Sequence, residues 1–276
     1  MTERDAMKTD YVNGGTRLYS IIGDPVSSVR TPTLFNAMFV KNNVNAVLVP
    51  LLVPKSQLKT AWEGIKSIGN LDGIVVTMPH KVEMCGLVDE LGESARIVGA
   101  VNTIRRNPDG RWEGDIFDGI GCVHGIKTQN EGCEVAGRSA FLLGLGGAGA
   151  AIAAALAQSG IRRLVVSDLD EARVRYIVDR IHTAYPETRI EIGTLKEGPY
   201  DIAINATPLG MREGDALPFD PGMLPETTLI VDVVPNPEFT PFLNLAKESG
   251  HAIRTGRHMH WGQAISAAKF WGFSLD

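Results

Sequence analysis

Cysteine is scarce in this chain. The three present, Cys85, Cys122 and Cys133, are odd in number and contain no CxxC pair, which argues against a disulfide framework, a thioredoxin-like motif or a cysteine zinc site and points to a reducing compartment. Long apolar runs are missing too: no stretch reaches the roughly 18 residues of a membrane span. The leading MTERDAMKTDYVNGG is polar and has no hydrophobic signal core, so a cytoplasmic protein with a frayed leading tail is expected. Nor is there an excess of positive charge, with 27 Lys and Arg against 32 Asp and Glu for a net charge of −5. Without a basic stripe, neither nucleic acid nor an anionic membrane is an expected partner. Internal repeats and low-complexity segments are absent as well, which leaves small molecules as the expected ligands.

What is present is an ordinary globular composition, 44% hydrophobic and 21% charged over 276 residues, long enough for two domains. TRLYSII, a helix over 32–42, AVLVPLLV, a helix over 55–68 and GIVVT alternate strand with helix, so these strands should be largely parallel. A short helical segment is expected around 82–95, and GAVNTIRR and RWEGDIF flank the turn NPDG as a β-hairpin. A helix over 119–129 leads to the hydrophilic NEGCEVAGR, placing a domain boundary near Asp118. Beyond it, a helix over 171–185 and the strands RIEIGTL, DIAINAT and TLIVDVV keep the rhythm of a doubly wound parallel sheet. Helices over 238–248 and 260–271 follow. The last has an apolar face (Ala264, Ile265, Ala268, Trp271) that needs a partner and is expected to fold back on the first domain.

The stretch SAFLLGLGGAGAAIAAALAQSGIRRLVVSDLD carries the most chemistry. A buried strand runs into Gly144, Gly146, Gly147, Ala148 and Gly149, then a slim alanine-rich helix, then a strand ending on Asp168. Gly144 permits the tight turn, Gly146 lets backbone approach a pyrophosphate, and Gly149 lets helix pack on strand, with the helix dipole facing the phosphates. Asp168 lies about 20 residues past the glycines, where a carboxylate accepts from ribose hydroxyls and repels a 2′-phosphate. NAD is therefore expected ahead of NADP. A simple helix cap is the competing role for Asp168, and Asp170 suits that duty better.

Polar residues at strand ends mark the place for catalysis in such folds. Moving a hydride to or from an alcohol carbon also requires transfer of the hydroxyl proton, and Lys81 in VVTMPHK and Asp118 in GDIFDGIG are the candidates. From the residues alone, Lys81 could equally be an exposed lysine and Asp118 an N-cap.

Taken together, IGDPVSSVRTP, VTMPHK, GAVNTI, FDGIG, GLGGAG, NATPLGM, VDVV and GRHMHWGQA, in this order over almost the whole chain, resemble the shikimate dehydrogenase family. The resemblance implies a substrate domain, 1–118, completed by 255–276, and a Rossmann-type NAD domain over 119–254. It implies reversible, nicotinamide-dependent oxidation of a ring hydroxyl in a shikimate- or quinate-like acid. Lys81 and Asp118 match the family's catalytic lysine and aspartate, Thr77 and Asn102 its substrate-hydroxyl partners, Gln263 the glutamine that holds the substrate from the C-terminal helix, and Thr31 the remaining hydroxyl of its carboxylate site. Asn205 and Thr207 of NATPLGM would join the glycines at the cofactor.

The chain also departs from the pattern. Val29, Arg30, Thr31 and Pro32 stand where the family has SxSP, Val75 replaces an asparagine, Ile116 and Phe117 replace the asparagine and threonine of NTDG, and Pro235 replaces a tyrosine. If Val29, Val75 and Pro235 face the substrate, the pocket is less polar than the family's and its specificity is redirected. Asp168-Leu169-Asp170 replaces the Asn-Arg-Thr of NADP-dependent members and resembles NAD-using quinate/shikimate dehydrogenases. His258 and His260 lack a third ligand at metal spacing, so no metal is expected. His80 either lines the cleft beside Lys81 or is an exposed loop residue, and Arg30 either pairs with a carboxylate or points to solvent. An amino-substituted or otherwise modified analogue as substrate, or a catalytically silent NAD-binding regulator, are the alternatives, and a homodimer is left open.

Overall fold

The computed structural model describes residues 12–27, 29–128 and 133–273. The leading tail, Ser28 of VSSVRTP and part of NEGCEVAGR lie outside the described residues. Two compact units divide the chain. One comprises Met1–Gly92, Ala100–Asp115 and Ala267–Asp276, and the other Glu93–Gly99 and Ile116–Ser266.

The first unit is built on strands β1 (Arg17–Gly23), β2 (Ala46–Leu52), β3 (Leu71–Val76), β4 (Glu90–Leu91), β5 (Thr103–Arg106) and β6 (Trp112–Asp115). They form one mixed sheet in the order β2-β1-β3-β5-β6-β4. The first three strands are parallel, as the strand–helix alternation predicts. The NPDG hairpin forms β5 and β6, antiparallel to each other, with β5 antiparallel to β3. Pro50 is tolerated in β2 because that strand is an edge. Helix α1 (Thr31–Lys41) turns Phe35, Met38 and Phe39 inward. Helix α2 (Leu58–Lys66) buries Leu58, Trp62 and Ile65 at helical spacing, preceded by a 3-10 turn at Lys55–Gln57. The expected helix over 82–95 is instead a 3-10 turn (Glu83–Gly86), β4 and the helix α3 (Glu93–Val98). Pairing of Glu90 and Leu91 with β6 overrides the local helical pattern, a tertiary override of propensity.

The second unit holds α4 (Asp118–Thr128), β7 (Ser139–Leu143), α5 (Gly147–Gln158), β8 (Arg163–Ser167), α6 (Glu171–Ala184), β9 (Arg189–Ile192), β10 (Ile202–Asn205), β11 (Leu229–Asp232), α7 (Pro241–Glu248) and β12 (Ile253–Arg254). Its sheet, ordered β12-β11-β10-β7-β8-β9, is parallel throughout, the Rossmann-type arrangement the sequence predicts. α3 belongs to this unit, where Arg180 of α6 donates to the carbonyls of Ile97, at 2.7 Å, and Arg96. The last helix, α8 (Gly256–Phe270), starts a turn earlier than expected. Gly256 is required there: a Cβ would lie 2.4 Å from the Val234 carbonyl oxygen. Among the described residues no helix is long and apolar enough to cross a membrane.

From Ala267 the chain counts with the first unit. There Trp271 packs on Tyr19 and Phe35 with ring centroids 4.6 and 4.9 Å away, and its indole N–H donates to the Ile104 carbonyl at 2.9 Å. The expected docking of the terminal segment on the first domain thus holds at Trp271. Gly73 makes the room, since a Cβ there would stand 2.5 Å from Trp271 Nε1 and 2.8 Å from Tyr19. Gly73→Ala should displace Trp271 and cost about 1–3 kcal/mol, the usual scale of overpacking, read as a lower denaturation midpoint with altered tryptophan fluorescence. Wild-type stability would refute the fit.

Candidate active site

In the second unit, β7 delivers the chain into the glycine turn. Gly144 adopts φ 95° and its N–H donates to the Ser167 carbonyl at 2.8 Å, tying the turn to β8. A Cβ on Gly149 would fall 1.9 Å from the Gly144 carbonyl oxygen, so only glycine allows α5 to start this close to the strand. Gly146 is the N-cap of α5 without a side-chain cap, and a Cβ on it would meet nothing within 4 Å. The chain is therefore open at the N-cap, where anions bind at a helix N-terminus. The alanines of α5 have a second use: α4 lies against them so closely that a Cβ on Gly119 would be 2.0 Å from the Ala151 carbonyl oxygen.

Asp168 closes the turn from the other side. Its carboxylate accepts from the Leu145 N–H at 2.5 Å and the Asp170 N–H at 3.0 Å. Capping of α6 falls to Asp170, which accepts from the Arg173 N–H at 3.0 Å, as expected. Leu169 between them is fully exposed. Sequence reasoning missed Arg173: its Nε donates to the Leu145 carbonyl at 2.7 Å while its Nη2 is buried without a partner. An orphaned cationic donor on α6, tied to the glycine turn through Leu145, and a helix N-terminus without a side-chain cap fit a phosphate-bearing cofactor.

The loop after β10 is organised by Asn205, fully buried. Its Oδ1 accepts from the Thr207 N–H at 3.0 Å and the Thr207 hydroxyl at 2.6 Å, and its Nδ2 donates to the Leu209 carbonyl at 3.2 Å and to Asp232 at 3.0 Å. Asn205 thus spends its amide inside the protein, whereas Thr207 is half-buried beside the Gly144 turn, where a Cβ on Gly144 would lie 2.9 Å from the Thr207 methyl. Asp232, at the end of β11, is the second residue missed. It is fully buried and also accepts from the Val234 N–H at 3.0 Å and the Thr240 hydroxyl at 2.6 Å. An acid inside the apolar run LIVDVV was the available signal. Burial raises its pKa, opposed by these three donors.

In the first unit the expected substrate residues gather at the C-terminal end of the parallel strands. Thr77 follows β3 and its N–H donates to the Ile22 carbonyl of β1 at 3.0 Å. The Val101 N–H donates to the Lys81 carbonyl at 2.8 Å, and Val76 to the Asn102 carbonyl at 2.7 Å, which draws Lys81, Thr77 and Asn102 into one neighbourhood. Asn102 is buried and accepts from the Thr103 hydroxyl at 2.9 Å. Thr31 opens α1 and is half-buried, as is Val29, while Arg30 is exposed. His80 is fully buried, with Nε2 2.7 Å from the Val53 carbonyl oxygen, so it is no exposed loop residue. Val75, where the family has an asparagine, is 4% exposed within the sheet between Ile21 and Thr103. Packing accounts for its apolar character, as it does for buried Ile116 and Phe117. Pro235 is exposed.

In the second unit Asp118 is buried at the start of α4, and Gln263 lies on α8. The two helices meet through glycines: a Cβ on Gly121 would stand 2.4 Å from the Met259 carbonyl and 2.7 Å from the Gln263 nitrogen. One turn separates Gly121 from Asp118, so this crossing brings Asp118 and Gln263 to the same region. Cys122 on the same helix is pushed up to about 12 by burial and then by Asp118, and stays a thiol. His258 and His260 make local bonds at the start of α8, to Thr255 at 3.3 Å and to the Gly256 carbonyl at 2.9 Å. The His258 pKa is lowered, first by burial and then by Arg254.

Comparison with known proteins finds relatives over nearly the whole chain. The family model described as the shikimate dehydrogenase substrate binding domain matches residues 21–104. A shikimate dehydrogenase (NADP(+)) of Rubrobacter xylanophilus is 36% identical over 271 residues, covering 96% of this chain and 94% of its own. Among solved structures, the quinate dehydrogenase of Corynebacterium glutamicum in complex with NAD is similar with a TM-score of 0.84, 28% identity and 95% coverage of both chains. The ligand-free 5-ketofructose reductase of Gluconobacter sp. strain CHM43 reaches a TM-score of 0.84, 30% identity and 96% coverage of both.

Asp232 supplies a pH test. Because its folded pKa is raised, the folded state holds the proton longer than the unfolded one, so this group's contribution to stability falls as pH rises from about 4. Asp232→Asn, which cannot titrate, should cost more stability at pH 4 than at pH 7. Denaturant titrations of both proteins across that range measure it, and a cost independent of pH would count against the buried acid.

Proposed function

The chain belongs to the shikimate dehydrogenase family, and we propose that it reversibly oxidises a ring hydroxyl of a shikimate- or quinate-like cyclic acid with NAD as the preferred cofactor. The observation that carries this reading is the glycine turn: an open helix N-terminus, Arg173 with a buried unpartnered donor, and Asp168 held against the turn by two backbone N–H groups. Gly146, Gly147, Ala148 and Gly149 would hold the diphosphate through backbone N–H groups. Asp168, fixed as an acceptor, would take ribose hydroxyls, and Asp168 with Asp170 would repel a 2′-phosphate, with exposed Leu169 offering it no cation. When bound, a nicotinamide supplies the hydride acceptor or donor.

The remaining work is done by the chain's own side chains. Lys81 Nζ and the Asp118 carboxylate take the hydroxyl proton as the alcohol is oxidised and return it in the reverse direction, a general acid–base role. Burial keeps Asp118 from bulk water, which strengthens its interactions with reacting groups. Thr77 and Asn102 orient the ring hydroxyls, Gln263 holds the substrate from α8, and Thr31 receives the carboxylate.

A second reading has its own observation. Val29 is half-buried where a hydroxyl would otherwise help hold a carboxylate, and a 30% identical relative is a 5-ketofructose reductase, whose sugar substrate has no carboxylate. Reduction of a polyhydroxy ketone is therefore the alternative.

Incubation with NAD or NADP and a panel of shikimate, quinate and, with reduced cofactor, 5-ketofructose, followed by nicotinamide absorbance, tests both readings. Turnover of a cyclic acid with NAD is expected, whereas activity confined to the sugar would favour the alternative. On the substrate so found, Lys81→Ala should lower kcat about 10²-fold or more while leaving cofactor affinity intact. Unchanged turnover would return Lys81 to a structural role. Asp168→Ala combined with Leu169→Arg should shift preference toward NADP by removing a ribose acceptor and adding a phosphate partner; a wild type that already prefers NADP would contradict the reading of Asp168.

A further inference from the structure

Asp232 sits in none of the roles above, and its surroundings are unusual. It is fully buried, and among the described residues no lysine, arginine or histidine pairs with it. A buried carboxylate without a cation is costly, and its oxygens are occupied by three neutral donors. The Thr240 hydroxyl takes Oδ2 and is itself the N-cap of α7. Val234 N–H and Asn205 Nδ2 share Oδ1. Of these donors, Asn205 leads onward to Thr207 in the loop after β10. An Asn side chain has a carbonyl end and an amino end, and the carboxylate accepts only from the amino end, which fixes which way the amide points. With Nδ2 committed to Asp232 and Leu209, Oδ1 must face residue 207, where it accepts both Thr207 donors. The Thr207 hydroxyl in turn accepts from the Leu209 N–H at 3.2 Å.

We infer that Asp232 is a positioning residue: acting through the orientation of the Asn205 amide, it holds the loop 206–210 and Thr207 in the conformation that receives the cofactor. The inference rests on the reading that this chain binds a nicotinamide dinucleotide, and it adds a residue that touches neither cofactor nor substrate. Replacing Oδ1 by an apolar group frees the Asn205 amide to rotate, and Thr207 then loses the acceptor for both of its donors. Thr240 offers an internal control, since its hydroxyl bonds the opposite oxygen and caps α7, and valine keeps the shape of the side chain that lies beside Gly210.

The test compares Asp232→Leu, Asp232→Asn and Thr240→Val with the wild type in two measurements. The first is amide hydrogen exchange of the ligand-free proteins. Exchange across 206–210 should speed up about tenfold or more in Asp232→Leu, whereas Thr240→Val should leave the loop within about twofold and loosen only the start of α7. Asp232→Asn, which retains Oδ1 as an acceptor, should stay close to wild type. The second is titration with NADH by nicotinamide fluorescence, where Asp232→Leu should weaken binding about tenfold and Asp232→Asn should restore it to within about threefold. Steady-state kinetics should show the loss in cofactor KM ahead of kcat. Loop exchange in Asp232→Leu no faster than in Thr240→Val would overturn the inference. If Asp232→Leu does not fold, Asn205→Ala takes its place, and an unaltered loop there overturns it equally. A wild type that binds neither NADH nor NADPH would instead defeat the functional reading, while the exchange result still decides the role of Asp232.

Discussion

Contact of backbone with backbone, at places where no side chain fits between, is the constraint on which the second unit depends. Gly149 allows α5 to begin against the Gly144 carbonyl, Gly119 allows α4 to lie on Ala151, and Gly121 allows α8 to cross α4 at Met259 and Gln263. These approaches set where the helix N-terminus, Asp118 and Gln263 can stand. Close-packed interiors respond to the addition of a single methyl group, so the geometry of the site is decided by what these positions lack. The alanines of α5 follow from the same demand, because a slim helix can be approached by β7 and α4 on two sides.

Polar commitments complete the arrangement. Asp168 is spent on the Leu145 and Asp170 N–H groups, and Asn205 on Thr207, Leu209 and Asp232. Side chains tied into the backbone in this way give preorganised loops, and preorganisation lowers the ordering cost of binding. In the first unit main-chain bonds have the comparable role: Lys81 is tied to Val101, and Val76 to Asn102, through N–H and carbonyl groups.

Much of this was legible in the sequence where local pattern and tertiary structure agree. The strand, glycine turn and alanine helix of 139–158 announce themselves because each residue type has a local reason, and NPDG makes its hairpin by turn chemistry alone. Other features depend on distant partners. His80 is buried because its ring meets the carbonyl of Val53, 27 residues away, and no local pattern encodes that bond. β4 interrupts a helical-looking stretch because β6 pairs with it. Asp232 hid inside LIVDVV because an apolar run reads as a strand whatever acid it carries, and two of its three donors, Asn205 and Thr240, lie outside that run. The near-complete burial of Val75 likewise follows from its ladders with β1 and β5, partners distant in sequence.

The discontinuity of the two units bears on how the chain comes to be folded. Trp271, which fills the space over Gly73 and bonds to Ile104, is 167 residues away from that carbonyl in sequence. As the chain emerges from the ribosome, the first sheet is translated early and then waits, its aromatic cavity around Tyr19 and Phe35 unfilled, until the whole of the second unit has been made. Contacts of such long sequence separation form late and slowly. The first unit is therefore the earlier in synthesis and the later to be completed, and a chain truncated before Trp271 would carry a finished second unit beside an unfinished first one.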